Sequence, residues 1–108
     1  MNYLQKAEAA LDYLESSENE FSRLKALVKY APDRLKVLSS TLALESSEKS
    51  VTGKHTASLA NPDYEAALDA YETVTKEFNL IQAKRNRAEL TIEFWRSLNS
   101  AQKLGNPT

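Results

Sequence analysis

The last forty-odd residues carry the marks of one uninterrupted helix. Asn61 is a favoured N-cap residue, and Pro62 suits the first helical position. At the far end, Gly105 can adopt the left-handed stop and Pro107 prevents continuation. Because no residue between these marks breaks a helix, we predict one over residues 62–103, which at about 1.5 Å per residue is about 63 Å long. A compact domain of this size has a radius of gyration of only about 13 Å, so we expect an elongated protein, an oligomeric one, or both.

The apolar residues of this helix recur with heptad spacing. They form a stripe with three–four spacing, which predicts coiled-coil-like packing. Arg85 and Asn99 are polar members of the stripe, and such residues can fix the register or the oligomeric state. The stripe comprises Tyr64, Ala67, Tyr71, Val74, Phe78, Ile81, Arg85, Ala88, Ile92, Trp95, Asn99 and Gln102.

A second apolar line appears only in the last third of the helix, at Leu90, Phe94 and Leu98. A helix that is apolar on two sides must bury both of them. One side can pack on the rest of the chain, and we assign the other to a second copy or to a partner protein. The predicted interface consists of Arg85, Leu90, Phe94, Trp95 and Leu98.

The remainder of the chain predicts two further helices and a loop. A helix over about residues 2–30 is expected to break or kink at Pro32, which lacks an amide donor and crowds the preceding turn, and the sequence leaves open whether this helix is continuous with the next. A second helix follows over residues 33–49, and residues 50–61 are small and polar, which is typical of a loop. The fold class is therefore all-α, in one domain over residues 1–108, as an elongated helical hairpin or a three-helix bundle with a long C-terminal helix. The stripe of the first helix is assigned to Leu4, Ala7, Leu11, Leu14, Phe21, Leu24 and Val28, with an interruption at Glu18.

Composition narrows the class of protein. Glycine occurs twice and proline three times, too rarely for the tight turns of an all-β chain. The absence of cysteine excludes disulfides and thiolate metal sites and favours a reducing compartment. No apolar run reaches the roughly 20 residues of a membrane span, and no signal peptide is visible. We therefore expect a cytoplasmic protein without a membrane partner.

The formal charge is −1, but the charged residues are unevenly distributed. Residues 1–20 and 63–77 are mainly acidic, whereas residues 23–36 and 84–103 are mainly basic. Phosphates attract lysine and arginine, and exposed bases stack on aromatic rings such as those of Phe94 and Trp95. The basic residues that could bind single-stranded nucleic acid are Lys25, Lys29, Arg34, Lys36, Lys84, Arg85, Arg87 and Arg96.

The two basic blocks converge if the first two helices run end to end and the third folds back along them. Residue i would then face residue 114 minus i, so that residues 23–36 would lie beside residues 78–91. In a three-helix bundle this convergence is lost, and in either case the charges could simply be a solvated flank of a coiled coil with Trp95 in the core. The sequence leaves these alternatives open.

Residues that could carry catalysis are sparse. The string around Gly53 and Lys54 resembles a phosphate loop but lacks the earlier glycine and the hydroxyl directly after the lysine. His55 is the only histidine, and no carboxylate pair stands at metal-ligand spacing beside it. We therefore expect no enzyme activity, no catalytic residue, no metal or other cofactor, and no small-molecule substrate.

Three segments of the last helix carry a resemblance to a known group of proteins. They are residues 64–68 (YEAAL), 84–89 (KRNRAE) and 92–97 (IEFWRS), preceded by a loop over residues 49–54. The pattern covers about two thirds of the chain and resembles small helical proteins of tailed-phage recombination modules, the nearest being the phage recombination mediators. This resemblance implies a non-enzymatic oligomer that binds single-stranded DNA and helps to load a recombinase onto it.

A protein–protein interaction module is the competing hypothesis. Such a module could be a phage-encoded inhibitor of a host enzyme or a structural coiled-coil subunit. The two apolar sides over residues 88–98 and the acidic stretches support it. In both hypotheses the chain is expected to form a homo-oligomer.

Overall fold

The computed structural model describes residues 1–105 and contains three helices within them: α1 (Tyr3–Glu45), α2 (Val51–Ala60) and α3 (Pro62–Gly105). No strand occurs among these residues. The predicted all-α fold with a long C-terminal helix is confirmed. The predicted stop at Pro107 lies outside the described residues.

Helix α1 begins with a reciprocal cap and continues through Pro32. The Gln5 amide donates to Asn2 Oδ1 at 2.8 Å, and the Asn2 amide donates to Gln5 Oε1 at 3.0 Å. The two separate helices predicted over residues 2–30 and 33–49 are wrong, because α1 is one helix that is continuous across Pro32 and ends at Glu45. An internal proline costs a helix about 3 kcal/mol. Burial of Leu24 before it and Leu42 after it offsets this cost, at about 1.5–3 kcal/mol each.

Most of the predicted loop over residues 50–61 is helix α2, so this prediction is also wrong. Ser50 is its N-cap, since the Ser50 hydroxyl accepts a hydrogen bond from the Gly53 amide at 2.9 Å. Ser58 is almost fully buried, and its hydroxyl lies 3.3 Å from that of Ser39 on α1. Capping and the burial of a small residue against α1 thus stabilise a segment whose composition is typical of a loop.

Helix α3 begins as the sequence predicts. Asn61 Oδ1 accepts a hydrogen bond from the Asp63 amide at 2.8 Å, and Pro62 is the first helical residue. The predicted left-handed stop at Gly105 is wrong: α3 includes Gly105, and no glycine among the described residues has a positive φ. Glycine permits the left-handed conformation but does not require it.

The chain divides into two compact units. The terminal unit comprises Met1–Ser22 and the chain from Asn79 onward, and the middle unit comprises Arg23–Phe78. In the terminal unit α1 and α3 run antiparallel, since the ring of Tyr3 contacts that of Phe94 while Arg85 contacts residues further along α1. The buried apolar residues of the terminal unit are Ala7, Ala10, Ala88 and Ile92.

The middle unit also pairs α1 with α3. Leu24 and Leu42 are its only buried hydrophobic residues among those described. An open apolar groove of about 270 Å³ runs between α1 and α3. The groove is lined by Leu27, Ala31, Arg34, Leu35 and Leu38 from α1 and by Ala67, Ala70, Tyr71 and Val74 from α3.

The heptad stripe predicted for α3 is turned away from solvent. Every member is buried or half-buried except Gln102. The stripe of α1 differs from the predicted one, because Leu4 and Leu11 are about half exposed while Ala10 and Ser17 are buried. The observed α1 stripe is Ala7, Ala10, Leu14, Ser17, Phe21, Leu24, Val28, Ala31, Leu35, Leu38 and Leu42.

No helix within residues 1–105 has the length and apolar character needed to cross a membrane.

Candidate nucleic-acid interface

The eight basic residues that the sequence indicates are divided between the two units. Lys25, Lys29, Arg34 and Lys36 belong to the middle unit, and Lys84, Arg85, Arg87 and Arg96 belong to the terminal unit. In the terminal unit, Arg85 forms an ion pair with Glu18 of the opposite helix.

The predicted register of the two long helices is wrong. It placed residue 29 opposite Arg85, whereas Leu14, Ser17 and Glu18 occupy that position. The observed register differs from the predicted one because α1 ends at Glu45 and because α2 contains residues that the prediction assigned to the turn. At Arg85, an ion pair with Glu18 therefore replaces the repulsion from Lys29 that the predicted register implied.

Arg85 is committed to contacts inside the terminal unit. One terminal nitrogen donates to the Leu14 carbonyl at 2.8 Å and to the Ser17 hydroxyl at 2.7 Å. The other donates to the Glu18 carboxylate at 2.7 Å, and the guanidinium lies 4.7 Å from the Phe21 ring centre. The Arg85 side chain is only 13% exposed. These contacts fix the register of α1 against α3 and leave little of Arg85 available to a nucleic acid or a partner.

The other cations of the two blocks lie at the surface. Lys29, Arg34, Lys36, Lys84 and Arg87 are all exposed. The Lys29 ammonium lies 5.5 Å from the ring centre of Tyr30. Arg34 lines the apolar groove of the middle unit.

Arg96 forms an ion pair on its own helix. One of its terminal nitrogens lies 2.9 Å from the Glu93 carboxylate, one turn away. Both side chains are largely exposed, so the pair contributes little to stability, but it neutralises the local charge. Arg96 is therefore a weaker phosphate ligand than a cation without a carboxylate beside it.

One side of the terminal unit carries a groove between α1 and α3 in two adjoining stretches. The stretches enclose about 470 Å³ and about 320 Å³. Lys6, Arg87 and Thr91 line both of them, and Lys84 lines the larger. Their further lining residues are Met1, Ala9, Ala10, Tyr13 and Ala88 in the larger stretch and Tyr3, Leu90, Phe94 and Trp95 in the smaller.

The groove collects positive charge without an acidic partner. No lining residue of either stretch is acidic, and within the described chain neither Lys84 nor Arg87 forms a salt bridge. The Lys6 ammonium lies 5.6 Å from the ring centre of Tyr3, within the range of a cation–π contact. The electrostatics of the groove thus favour an anion.

Aromatic rings stand at one end of the same groove. Tyr3 and Phe94 contact each other edge to face, with their ring centres 5.5 Å apart. Tyr3 is 54% exposed and Phe94 is 53% exposed, so part of each ring is open to solvent. Trp95 is half-buried on the heptad stripe and also lines the groove. The arrangement combines cations for phosphates with rings on which bases can stack.

The predicted interface residues occupy different environments. Leu90 is 70% exposed and Phe94 is about half exposed, whereas Trp95 and Leu98 are half-buried. Arg85 is enclosed by its own chain, as described above. Leu90 and Phe94 are thus the members of this set with the most apolar surface left to a partner.

Two residues of the groove, Tyr3 and Lys6, were not identified from the sequence. Lys6 is the one cation in the acidic stretch of residues 1–20, so charge counting assigned it to the wrong environment. Only the correct register brings this cation beside Lys84 and Arg87. A stripe drawn through Ala7, Ala10 and Leu14 would have identified the side of α1 that faces α3, whereas the register depends on contacts between distant residues.

No cluster of three or more metal-ligating side chains occurs within residues 1–105. His55 lies exposed on α2. No protein-family model matches the chain, and comparisons with curated proteins and with solved structures find no match.

Proposed function

We propose that the chain is a non-enzymatic helical protein that binds single-stranded nucleic acid in the groove of the terminal unit and acts as a homo-oligomer. The observation that carries this proposal is the combination of Lys6, Lys84 and Arg87 with the rings of Tyr3 and Phe94 in a groove without an acidic lining residue. Lysine and arginine bind phosphates regardless of sequence, and half-exposed rings accept the faces of unpaired bases.

In the cell, the proposed role is that of a recombination accessory of the mediator type. It would bind single-stranded DNA in the cytoplasm of a bacterial host and present the strand to a recombinase. The resemblance of residues 64–68, 84–89 and 92–97 to phage recombination proteins supports this role. The terminal unit contains the last two of these segments.

The test is a titration of a fluorescein-labelled oligo(dT) by fluorescence anisotropy. Each phosphate contact on a single strand contributes about 0.7 to the slope of log K against log salt. Three groove cations therefore predict a slope of about −2, which is about a 20-fold loss of affinity between about 50 and 200 mM salt. A flat titration at low salt would refute the proposal.

Two double variants locate the binding site. Lys84→Ala with Arg87→Ala removes two groove cations and should reduce the slope to about −0.7. Lys29→Ala with Lys36→Ala removes two exposed cations of the middle unit and should leave the slope unchanged. Equal losses from both pairs would show that the groove is not the site.

A second candidate is a protein partner that docks a helix on the same side of α3. The exposure of Leu90 favours it, since a side chain 70% exposed leaves apolar surface to be buried. Apolar docking depends weakly on salt, whereas phosphate binding depends on it steeply. If the oligonucleotide titration is flat, the variant Leu90→Asp should still abolish binding of such a partner in a calorimetric titration.

A further inference from the structure

Helix α1 presents a second line of apolar side chains on a face separate from its buried stripe. Tyr30 is half exposed, and Val37 and Leu44 are 67% and 82% exposed. They recur every seven residues, so they lie above one another and span about 21 Å along the helix. The buried residues Leu24 and Leu42 lie about a third of a turn away around the same helix. The second line is therefore distinct from the stripe that α1 buries in the middle unit.

A depression of about 370 Å³ lies at the middle of this line. Its lining residues are Tyr30, Asp33, Arg34 and Val37, which all belong to α1 and are all exposed. Their spacing is i, i+3, i+4 and i+7, which is the spacing of the four residues that form one hole of a coiled coil. A hole of this kind receives a side chain of a second helix. The shape of the surface therefore fits a helix that runs alongside α1.

Positive charges flank the line on both sides. In a heptad whose a positions are those of the apolar line, Lys29 and Lys36 occupy g and Arg34 occupies e. All three are exposed, and within residues 1–105 none of them forms a salt bridge. The one carboxylate of α1 between residues 21 and 44 is Asp33, which occupies d. Charges at e and g select the partner of a helix, so the three cations favour carboxylates on the flanks of that partner.

We propose that α1 docks an acidic amphipathic helix of a partner protein on this face. The partner helix has apolar residues at its a and d positions and carboxylates at e and g, and about 14 of its residues cover the length of the line. Such a helix buries the apolar line and pairs its carboxylates with the cations on both flanks. A nucleic acid would offer phosphates to the same cations but no apolar side chain for the hole between them. The surface is called the basic face of α1 and consists of Lys29, Tyr30, Arg34, Lys36, Val37 and Leu44.

The basic face of α1 belongs to the middle unit, whereas the proposed nucleic-acid site belongs to the terminal unit. Helix docking on the basic face therefore goes beyond the proposed function and does not require it. A flat oligonucleotide titration would leave helix docking intact, and a loss of helix docking would leave the oligonucleotide titration intact.

The experiment is an anisotropy titration of the full chain with a fluorescein-labelled designed peptide at about 50 mM salt, where exposed charges are less screened than at physiological salt. The acidic peptide has three heptads with leucine at a and d and glutamate at e and g, so that repulsion keeps it from pairing with itself. The control peptide has lysine in place of glutamate. We expect the chain to bind the acidic peptide at least about tenfold more tightly than the control. Equal affinities, or no binding of the acidic peptide at about 100 μM protein, would overturn the proposal.

Variants locate the docking surface and test the role of charge. Lys29→Glu with Lys36→Glu reverses the charge of one flank, so the preference should shift toward the control peptide at least about tenfold. Val37→Asp puts a carboxylate into the apolar line and should weaken binding of the acidic peptide at least about tenfold. Leu80→Asp is the matched control, at an exposed leucine of the terminal unit, and should leave binding unchanged. An unchanged preference of the double variant, or equal losses from Val37→Asp and Leu80→Asp, would contradict helix docking on the basic face.

Two other occupants of the basic face are outcomes of the same test. Lys29→Ala with Lys36→Ala should weaken binding of the acidic peptide and leave the affinity for oligo(dT) unchanged. Loss of oligo(dT) binding in this variant would assign the face to a nucleic acid and overturn the proposal. Vesicles that contain phosphatidylserine should leave the acidic peptide bound to the wild type. Displacement of the peptide by these vesicles would assign the face to an anionic lipid surface and overturn the proposal as well.

Discussion

Replacing Arg85 with alanine should destabilise the protein without acting on a binding site. The substitution removes three hydrogen bonds, to Leu14, Ser17 and Glu18, and the contact with the Phe21 ring. It also leaves the buried hydroxyl of Ser17 without its charged donor. The effect falls on the packing of α1 against α3 in the terminal unit.

The geometry sets the magnitude of this loss. A hydrogen bond from a charged donor contributes about 1.5–3 kcal/mol, and two of the three have acceptors enclosed in the terminal unit. The Glu18 carboxylate is 60% exposed, so its ion pair contributes at most about 1 kcal/mol. Because these terms are not additive, we expect Arg85→Ala to lower the free energy of unfolding by about 3–4 kcal/mol. At about 4–8 °C per kcal/mol, the melting temperature should fall by at least about 12 °C.

The assay is urea unfolding followed by circular dichroism, with all variants at one protein concentration because association adds to apparent stability. Arg87→Ala is the matched control: it removes an exposed arginine two positions along α3 and should change the free energy of unfolding by less than about 0.5 kcal/mol. Arg85→Lys keeps the positive charge but not the planar guanidinium. It should therefore lower the free energy of unfolding by less than Arg85→Ala but by more than Arg87→Ala. A loss below about 1 kcal/mol for Arg85→Ala, or an equal loss for Arg87→Ala, would refute this reasoning.

Three further substitutions test the fold by thermal and urea unfolding. Leu24→Ala should cost about 2–5 kcal/mol because Leu24 is buried, whereas Leu11→Ala, at a half-exposed residue, should cost well under half as much. An equal loss from both substitutions would return Leu11 to the buried stripe, as the sequence predicts. Pro32→Ala should stabilise the protein by up to about 3 kcal/mol, because the proline lies inside α1, and a loss of stability would contradict a continuous helix there. Ser50→Ala should lower the free energy of unfolding by about 1 kcal/mol through loss of the α2 cap, whereas Ser47→Ala, at an exposed serine outside the helices, should leave it unchanged. No change on Ser50→Ala would contradict the helix assigned to residues 51–60.

The sequence predicts α3 well because its signals are local. An N-cap at Asn61, a proline at the first helical position and an unbroken heptad stripe each act within one or two turns. The course of α1 was harder to predict, because Pro32 has a strong local preference that tertiary packing overrides. Small residues hid the true stripe, since Ala10 and Ser17 carry less hydrophobic signal than Leu4 and Leu11.

The candidate site could be predicted only in part. The basic residues of α3 and the aromatic Phe94 are evident from composition and spacing. The contribution of Lys6 and Tyr3 depends on the register of α1 against α3, which is fixed by contacts between distant residues such as Arg85 and Ser17. Glu18 interrupts the apolar stripe that the sequence predicts for α1. The structure explains this position, because the Glu18 carboxylate pairs with Arg85 of α3.

The most direct test of the proposed function is a chemical-shift map of the ¹⁵N-labelled protein titrated with a short oligo(dT). We expect the largest changes in the terminal unit, at the amides of Tyr3, Lys6, Arg87 and Phe94 and at the indole of Trp95. The amides of the middle unit should change little at low oligonucleotide concentration. Changes confined to the middle unit, or no changes at low salt, would contradict a nucleic-acid interface in the groove of the terminal unit.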